Sequence, residues 1–265
     1  PRQATQRRVP RRRVACLGLE AWPGGPVVLV DATPDLPSQA MEMRAISGTP
    51  AEPGRPVDAI LLTHAHMGHY AGLVHLGREA AATKKLPLVA TPRMCAFLKE
   101  NKPWSRLMEW GHVQLEPLEP GGTLKLAPAL TVRSIAVPHR NEDSDTVGYV
   151  FEGPERTLLY VPDTDSWSRW DRPVAALVER ADIALLDGTF YDPGEVTWRP
   201  PEEIPHPTIT ESMDLMEALV ASGKRRILFT HLNHSNPGLD PASEASAEIA
   251  RRGFGVAEEG LELAL

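Results

Sequence analysis

Short apolar runs broken by proline and glycine dominate the chain. Residues 14–19 and 26–31 flank Pro23-Gly24-Gly25-Pro26, a spacing that predicts a β-hairpin. The second run, VVLV, ends at Asp31 and leads into ATPDLPSQ, which reads as a proline-broken loop. Residues 57–63 (VDAILLT) have the unbroken apolar character of a strand buried on both faces. Residues 70–85 show helix-like spacing through Leu73, Leu76 and Ala80, followed by a buried strand at 86–90 and a helix at 92–100. The middle is strand-rich, at 112–118, 123–126, 130–137, 148–152 and 157–161. A short helix near 174–180 precedes a strand at 183–186. Thr208 and Glu211 have the spacing of a capping box before an apolar-periodic run to Leu219, with Gly223 at the stop. A strand at 226–230, a helix from Asp240 and Pro241 to Gly253 and a final edge strand complete the pattern. No fixed-period repeat or long linker interrupts it. Residues 14–265 are therefore expected to form one α/β domain, with helices covering a pair of stacked sheets.

Composition narrows the function classes. At 42% hydrophobic and 24% charged, the chain is ordinary for a globular protein. No run approaches the ~18 apolar residues of a membrane span. A formal charge of −7 and 6% aromatic residues argue against a nucleic-acid partner, leaving a small-molecule substrate as the expectation and the oligomeric state open. Residues 1–13 carry six arginines and no acid, the pattern of a solvated, mobile arm. Cys16 and Cys95 are too few for a disulfide framework or a four-cysteine zinc site. The chain starts at Pro1 and shows no apolar leader core, so both a cytoplasmic location and export after removal of a leader fit.

The main chemical signal is His64-Ala65-His66-Met67-Gly68-His69, three of nine histidines within six positions, directly after a buried strand. In extended chain, residues two apart point the same way, so His64 and His66 reach one ion together, with His69 approaching from the turn beyond. Imidazole suits zinc, iron, nickel and copper. The bland alternative is a set of surface histidines capping the next helix.

The segment resembles the HxHxDH signature of the metallo-β-lactamase fold superfamily, and further signatures of that superfamily recur in order. Asp31 closes an early strand, His139 stands in Val137-Pro138-His139, Asp163 follows Leu159-Tyr160-Val161-Pro162, and His231 follows Leu228-Phe229-Thr230. The resemblance implies a four-layer αββα sandwich. Its metal ligands would be His64, His66, His139 and Asp163 at a first site, with His69, His231 and a share of Asp163 at a second. Gly68 stands where the superfamily has a metal-binding aspartate, which implies one firmly held zinc, with a second, more weakly bound ion as the alternative and iron or manganese as alternative metals. Runs such as Val30-Asp31-Ala32-Thr33-Pro34-Asp35 and His231-Leu232-Asn233-His234 resemble the coenzyme PQQ synthesis protein B group. That group is implicated in iron-dependent hydroxylation and usually carries a Gly-rich first strand upstream, not found here. By resemblance to tRNA 3′-processing ribonucleases, Asp187 would orient His206 as a proton donor. The alternative is that Asp187 caps a turn with Gly188 and His206 merely starts a helix.

Three functions are carried forward. One is a hydrolase that uses a metal-activated water on an ester, lactone, amide or phosphodiester, with Asp163, Asp187 and His206 as its catalytic residues. The second is an iron-dependent hydroxylase, and the third a non-catalytic binder. Asp165 competes with Asp163 for the bridging position. His234 reads as a loop residue, with support of His231 from behind as the alternative, His75 as packing, His112 as isolated, and Trp104, Trp110, Trp167 and Trp170 as core or lid, with one lining a pocket as the alternative.

Overall fold

A computed structural model describes residues 12–195 and 205–265. Most of the basic arm, residues 1–11, and the proline-rich stretch 196–204 lie outside the described residues. The chain divides into two compact units, one of Cys16–Ala136 and Arg140–Val147, the other of residues 12–15, Val137–His139 and Gly148–Leu265.

In the first unit, β1 (Leu17–Glu20) and β2 (Val27–Val30) form the expected antiparallel hairpin. They continue into a five-stranded sheet with β3 (Ala59–Leu61), β4 (Leu86–Ala90) and β5 (Val113–Pro117), parallel from β2 onward. Strands β2 (VVLV) and β3 (AIL) are nearly continuous in Val, Ile and Leu, as strands covered on both faces of a parallel sheet are. Leu29, Ile60, Leu73, Leu88, Met94 and Leu98 belong to its core. The helices of this unit are α1 (Leu36–Ser47), α2 (Met67–Tyr70), α3 (Pro92–Glu100) and α4 (Ser105–Glu109). A hairpin of β6 (Thr123–Ala127) and β7 (Leu130–Ala136) follows, with a register shift between Lys125 and Ala127.

Two expectations fail here for local reasons. The stretch read as a proline-broken loop opens α1, because Pro37 lies in the first turn, where the missing N–H has no helical acceptor to lose. The helix expected over 70–85 stops at Tyr70 and gives way to a 3₁₀ turn at Ala71–Leu76. Gly72 draws this segment against the end of β2, donating its N–H to the Ala32 carbonyl at 2.9 Å. A Cβ at that position would lie 1.9 Å from the Thr33 carbonyl oxygen, so no other residue permits the approach.

In the second unit, β8 (Val147–Glu152) pairs antiparallel with β9 (Thr157–Val161). Strands β10 (Ile183–Asp187), β11 (Arg226–Thr230) and β12 (Gly255–Val256) then add in parallel, in the order β8-β9-β10-β11-β12. Its helices are α5 (Val174–Val178), α6 (Ile209–Ala221) and α7 (Glu244–Arg251). The capping box on α6 is present: Thr208 accepts from the Glu211 N–H and Glu211 from the Thr208 N–H. Gly223 adopts φ 68° beyond its end. The last helix starts later than Asp240, at Glu244, because Asn236 caps a separate 3₁₀ turn at Pro237–Leu239 and Ser243 caps the helix itself. At the arm's end, Arg12 donates to the Ala257 carbonyl at 2.9 Å and Arg13 pairs with Glu259 at 2.9 Å.

Val161, Leu186 and Phe229 share one register across β9, β10 and β11. Asp163, Asp187 and His231 therefore emerge side by side from adjacent carboxyl ends, where parallel sheets place their sites.

Candidate functional site

In the first unit, the site residues lie where β2 and β3 end. Asp31 is fully buried and left-handed at φ 72°, a conformation that Asp tolerates better than most residues. Its carboxylate accepts the Thr63 N–H (2.8 Å), the Thr63 hydroxyl (2.9 Å) and Nδ1 of His69 (2.7 Å). With its proton given to Asp31, the Thr63 oxygen accepts from Nδ1 of His64 at 3.0 Å. The ring of His64 lies 4.6 Å from that of His66 and 4.1 Å from that of His69, centroid to centroid. The three clustered histidines thus converge. His66 Nε2 stands 3.4 Å from Glu142, whose carboxyl is held below its ordinary range by a hydrogen bond with its own backbone and by His66.

In the second unit, Asp163 lies among three imidazoles. One oxygen is 3.3 Å from Nε2 of His139 and 3.4 Å from Nδ1 of His206, and the other is 3.9 Å from Nε2 of His231. His231 is left-handed, at φ 61°, and Thr189 Oγ1 stands 3.0 Å from its Nδ1. Asp187, fully buried, accepts from the Thr189 N–H (2.8 Å), the Thr164 N–H (3.0 Å) and Nδ1 of His206 (2.9 Å). It therefore closes the turn at Gly188 and Thr189 and also hydrogen-bonds the His206 ring. Asp165 does not compete with Asp163: its carboxylate faces Nδ1 of His139 at 3.1 Å and Arg169 at 2.9 Å.

The donor set fits a metal ion. His64, His69, His139 and His231 each have Nδ1 against an oxygen of the protein; for His69 and His139 it is a carboxylate, which only accepts and so leaves the lone pair at Nε2, the arrangement common to metal-bound histidines. Two ligands at ~2.0–2.1 Å on one tetrahedral ion lie about 3.3 Å apart, the separation of His139 Nε2 and Asp163. With Nδ1–H given to Asp165, that pair sets a lone pair against a carboxylate, which calls for positive charge between them. Asp163, Asp187 and His206 also offer atoms that all lie within 4.8 Å of one another.

The oxygens that orient the rings were not anticipated from sequence. Thr63, beside His64, was the readable one, while Thr189 and Asp165 act on histidines 42 and 26 positions away. The other candidates take no part in these contacts. His234 is exposed, His112 bonds the Thr83 carbonyl at 2.7 Å, and Trp104 stands 4.8 Å from the Tyr70 ring. Trp110 carries Arg78 on its ring at 4.4 Å, and Trp167 stacks on Trp170 while donating to Ser212 at 2.8 Å.

The chain is similar to several known proteins. The beta-lactamase superfamily domain matches residues 27–232. Coenzyme PQQ synthesis protein B of Cupriavidus taiwanensis is 29% identical, covering 100% of this chain and 91% of the relative. The corresponding protein of Pseudomonas fluorescens is 28% identical, covering 90% and 83%. The crystal structure of Zn²⁺-bound PqqB from Methylobacterium extorquens superposes with a TM-score of 0.81 at 24% identity, covering 100% and 91%. Human tRNase Z, short form, superposes at 0.61 with 16% identity, covering 95% and 92%. The fold is the expected metallo-β-lactamase one, with mixed sheets and helices, and the histidine and aspartate clusters support a metal cofactor. Because the match takes in every histidine and aspartate of the candidate site, the chain belongs to the beta-lactamase superfamily.

Proposed function

We propose that this protein is a metal-dependent hydrolase of a small ester, lactone, amide or phosphodiester. His64, His66, His139 and Asp163 would hold the principal ion, zinc by choice of donors, and His69, His231 and a share of Asp163 a weaker second one. Such an ion supplies Lewis acidity and a nucleophilic water at neutral pH. The protein's own residues supply orientation and proton transfer. Asp31, Thr63 and Thr189 hold the ligand rings. Asp187 accepts a hydrogen bond from Nδ1–H of His206, so in the protonated imidazolium the Nε2–H is the proton that would be offered to a leaving group.

The Asp187–His206 pair is the observation that supports hydrolysis most. A leaving alkoxide or amine must be protonated, whereas hydroxylation makes no such demand. The second reading, an iron-dependent hydroxylase, draws on Gly68 and on the similarity to coenzyme PQQ synthesis protein B.

The test compares the zinc-loaded protein on phosphodiesters and esters with the iron-loaded protein under oxygen. The hydrolase reading expects turnover by the zinc form and no substrate-dependent oxygen uptake by the iron form. His206→Gln should keep its zinc and lose about 10²–10⁴-fold in kcat for alkoxide leaving groups, and less for p-nitrophenolate, which leaves unprotonated. An inert zinc form beside an oxygen-consuming iron form overturns the proposal.

A further inference from the structure

The sequence Asp163-Thr164-Asp165 brings two carboxylates to one imidazole. Asp163 lies 3.3 Å from Nε2 of His139, and Asp165 lies 3.1 Å from Nδ1 of the same ring. The loop is fastened to the backbone just before that histidine, since the Asp165 N–H (2.7 Å) and the Thr164 hydroxyl (3.1 Å) both donate to the Pro138 carbonyl. The second oxygen of Asp165 takes NH1 of Arg169 at 2.9 Å, four residues on. Arg169 is half-exposed, while the side chains of Asp165 and His139 are buried, at 8% and 1%.

We propose that Asp165 is the positioning residue of His139, and that Arg169 holds its carboxylate in place. This rests on the reading of His139 as a metal ligand. A neutral imidazole has one N–H and one lone pair. Asp165 accepts the N–H at Nδ1, so the lone pair stays at Nε2, on the side of Asp163, and any rotation of the ring breaks the bond. Arg169 neutralises a carboxylate that would otherwise carry an uncompensated buried charge. The two acids of the motif thus divide the work: Asp163 faces the ion's side of the ring and Asp165 faces its back.

The experiment measures zinc affinity of the full-length protein by competition with a chromophoric chelator. Wild type is compared with Asp165→Ala, Asp165→Asn, Arg169→Ala, His139→Ala and the double variant D165A/H139A. Asp165→Ala should bind about 10–100-fold more weakly. Asp165→Asn, which keeps an acceptor for Nδ1–H, should fall between it and wild type, and carries the test if the alanine variant does not fold. Arg169→Ala should lose less than Asp165→Ala, and wild-type affinity there removes the arginine's part. In the His139→Ala background, Asp165→Ala should add less than about twofold, because the two residues act as one unit. Wild-type affinity in Asp165→Ala, or an undiminished loss in that background, overturns the assignment while leaving the metal reading intact. A wild type that takes up no zinc, iron or manganese overturns both.

Discussion

Replacing Asp31 tests whether one buried carboxylate organises the first half of the site. It accepts two N–H groups and a hydroxyl at 2.7–2.9 Å with no exposure to water. Hydrogen bonds to a charged group contribute about 1.5–3 kcal/mol each. Since all three share one carboxylate and do not add independently, Asp31→Ala should cost about 4 kcal/mol, a large part of the ~5–15 kcal/mol that holds a domain folded. Alanine in the left-handed region adds ~1 kcal/mol. Asp31→Asn tolerates that backbone and keeps one acceptor, so about half the loss is expected. Guanidinium unfolding followed by tryptophan fluorescence measures both variants. Repeating it in excess chelator separates lost metal binding from lost stability. An alanine variant within 1 kcal/mol of wild type, or an asparagine variant weaker than alanine, refutes the reasoning.

Gly72→Ala should yield little soluble protein, because the added Cβ meets a backbone oxygen that cannot move aside; normal expression and melting would contradict this packing. His66→Ala should strip the principal ion and abolish turnover, so full metal content by elemental analysis would remove His66 from the ligand set. Burial pushes the Cys95 thiol up to about 11, from an ordinary value of 9.0, so native protein should expose only Cys16 to a thiol reagent at pH 8 and both after denaturation. Between pH 9.0 and about 11 unfolding releases the Cys95 proton, so its contribution to stability falls as pH rises; a melting temperature in Cys95→Ala that follows the same alkaline slope as wild type would contradict it.

Features written within a few consecutive residues were legible from the sequence. The VVLV run declared a hairpin strand and VDAILLT a buried one, Thr208 and Glu211 declared the start of α6, and the HxHxGH cluster declared the metal chemistry. Each depends on neighbours in the chain, so local propensity and periodicity suffice. The helix at Leu36–Ser47 was hidden because proline signals a break everywhere except in a first turn, and nothing nearby marked residue 37 as that turn. The helix expected over 70–85 failed for the opposite reason: its spacing was adequate, and a distant carbonyl at Thr33 imposed another path.

The types of donor side chain and their order were properties of the sequence alone, since imidazole and carboxylate carry the same chemistry wherever they stand. Which atom of each ring faces outward was not. That choice belongs to Asp31, Thr63, Asp165 and Thr189, whose oxygens hold Nδ1 of His69, His64, His139 and His231. Apart from Thr63 beside His64, these bonds join residues dozens of positions apart, and such a bond has no trace in periodicity or spacing. It exists only once parallel strands have set their carboxyl ends side by side, and so tertiary structure, not sequence, decided how these donors are aimed.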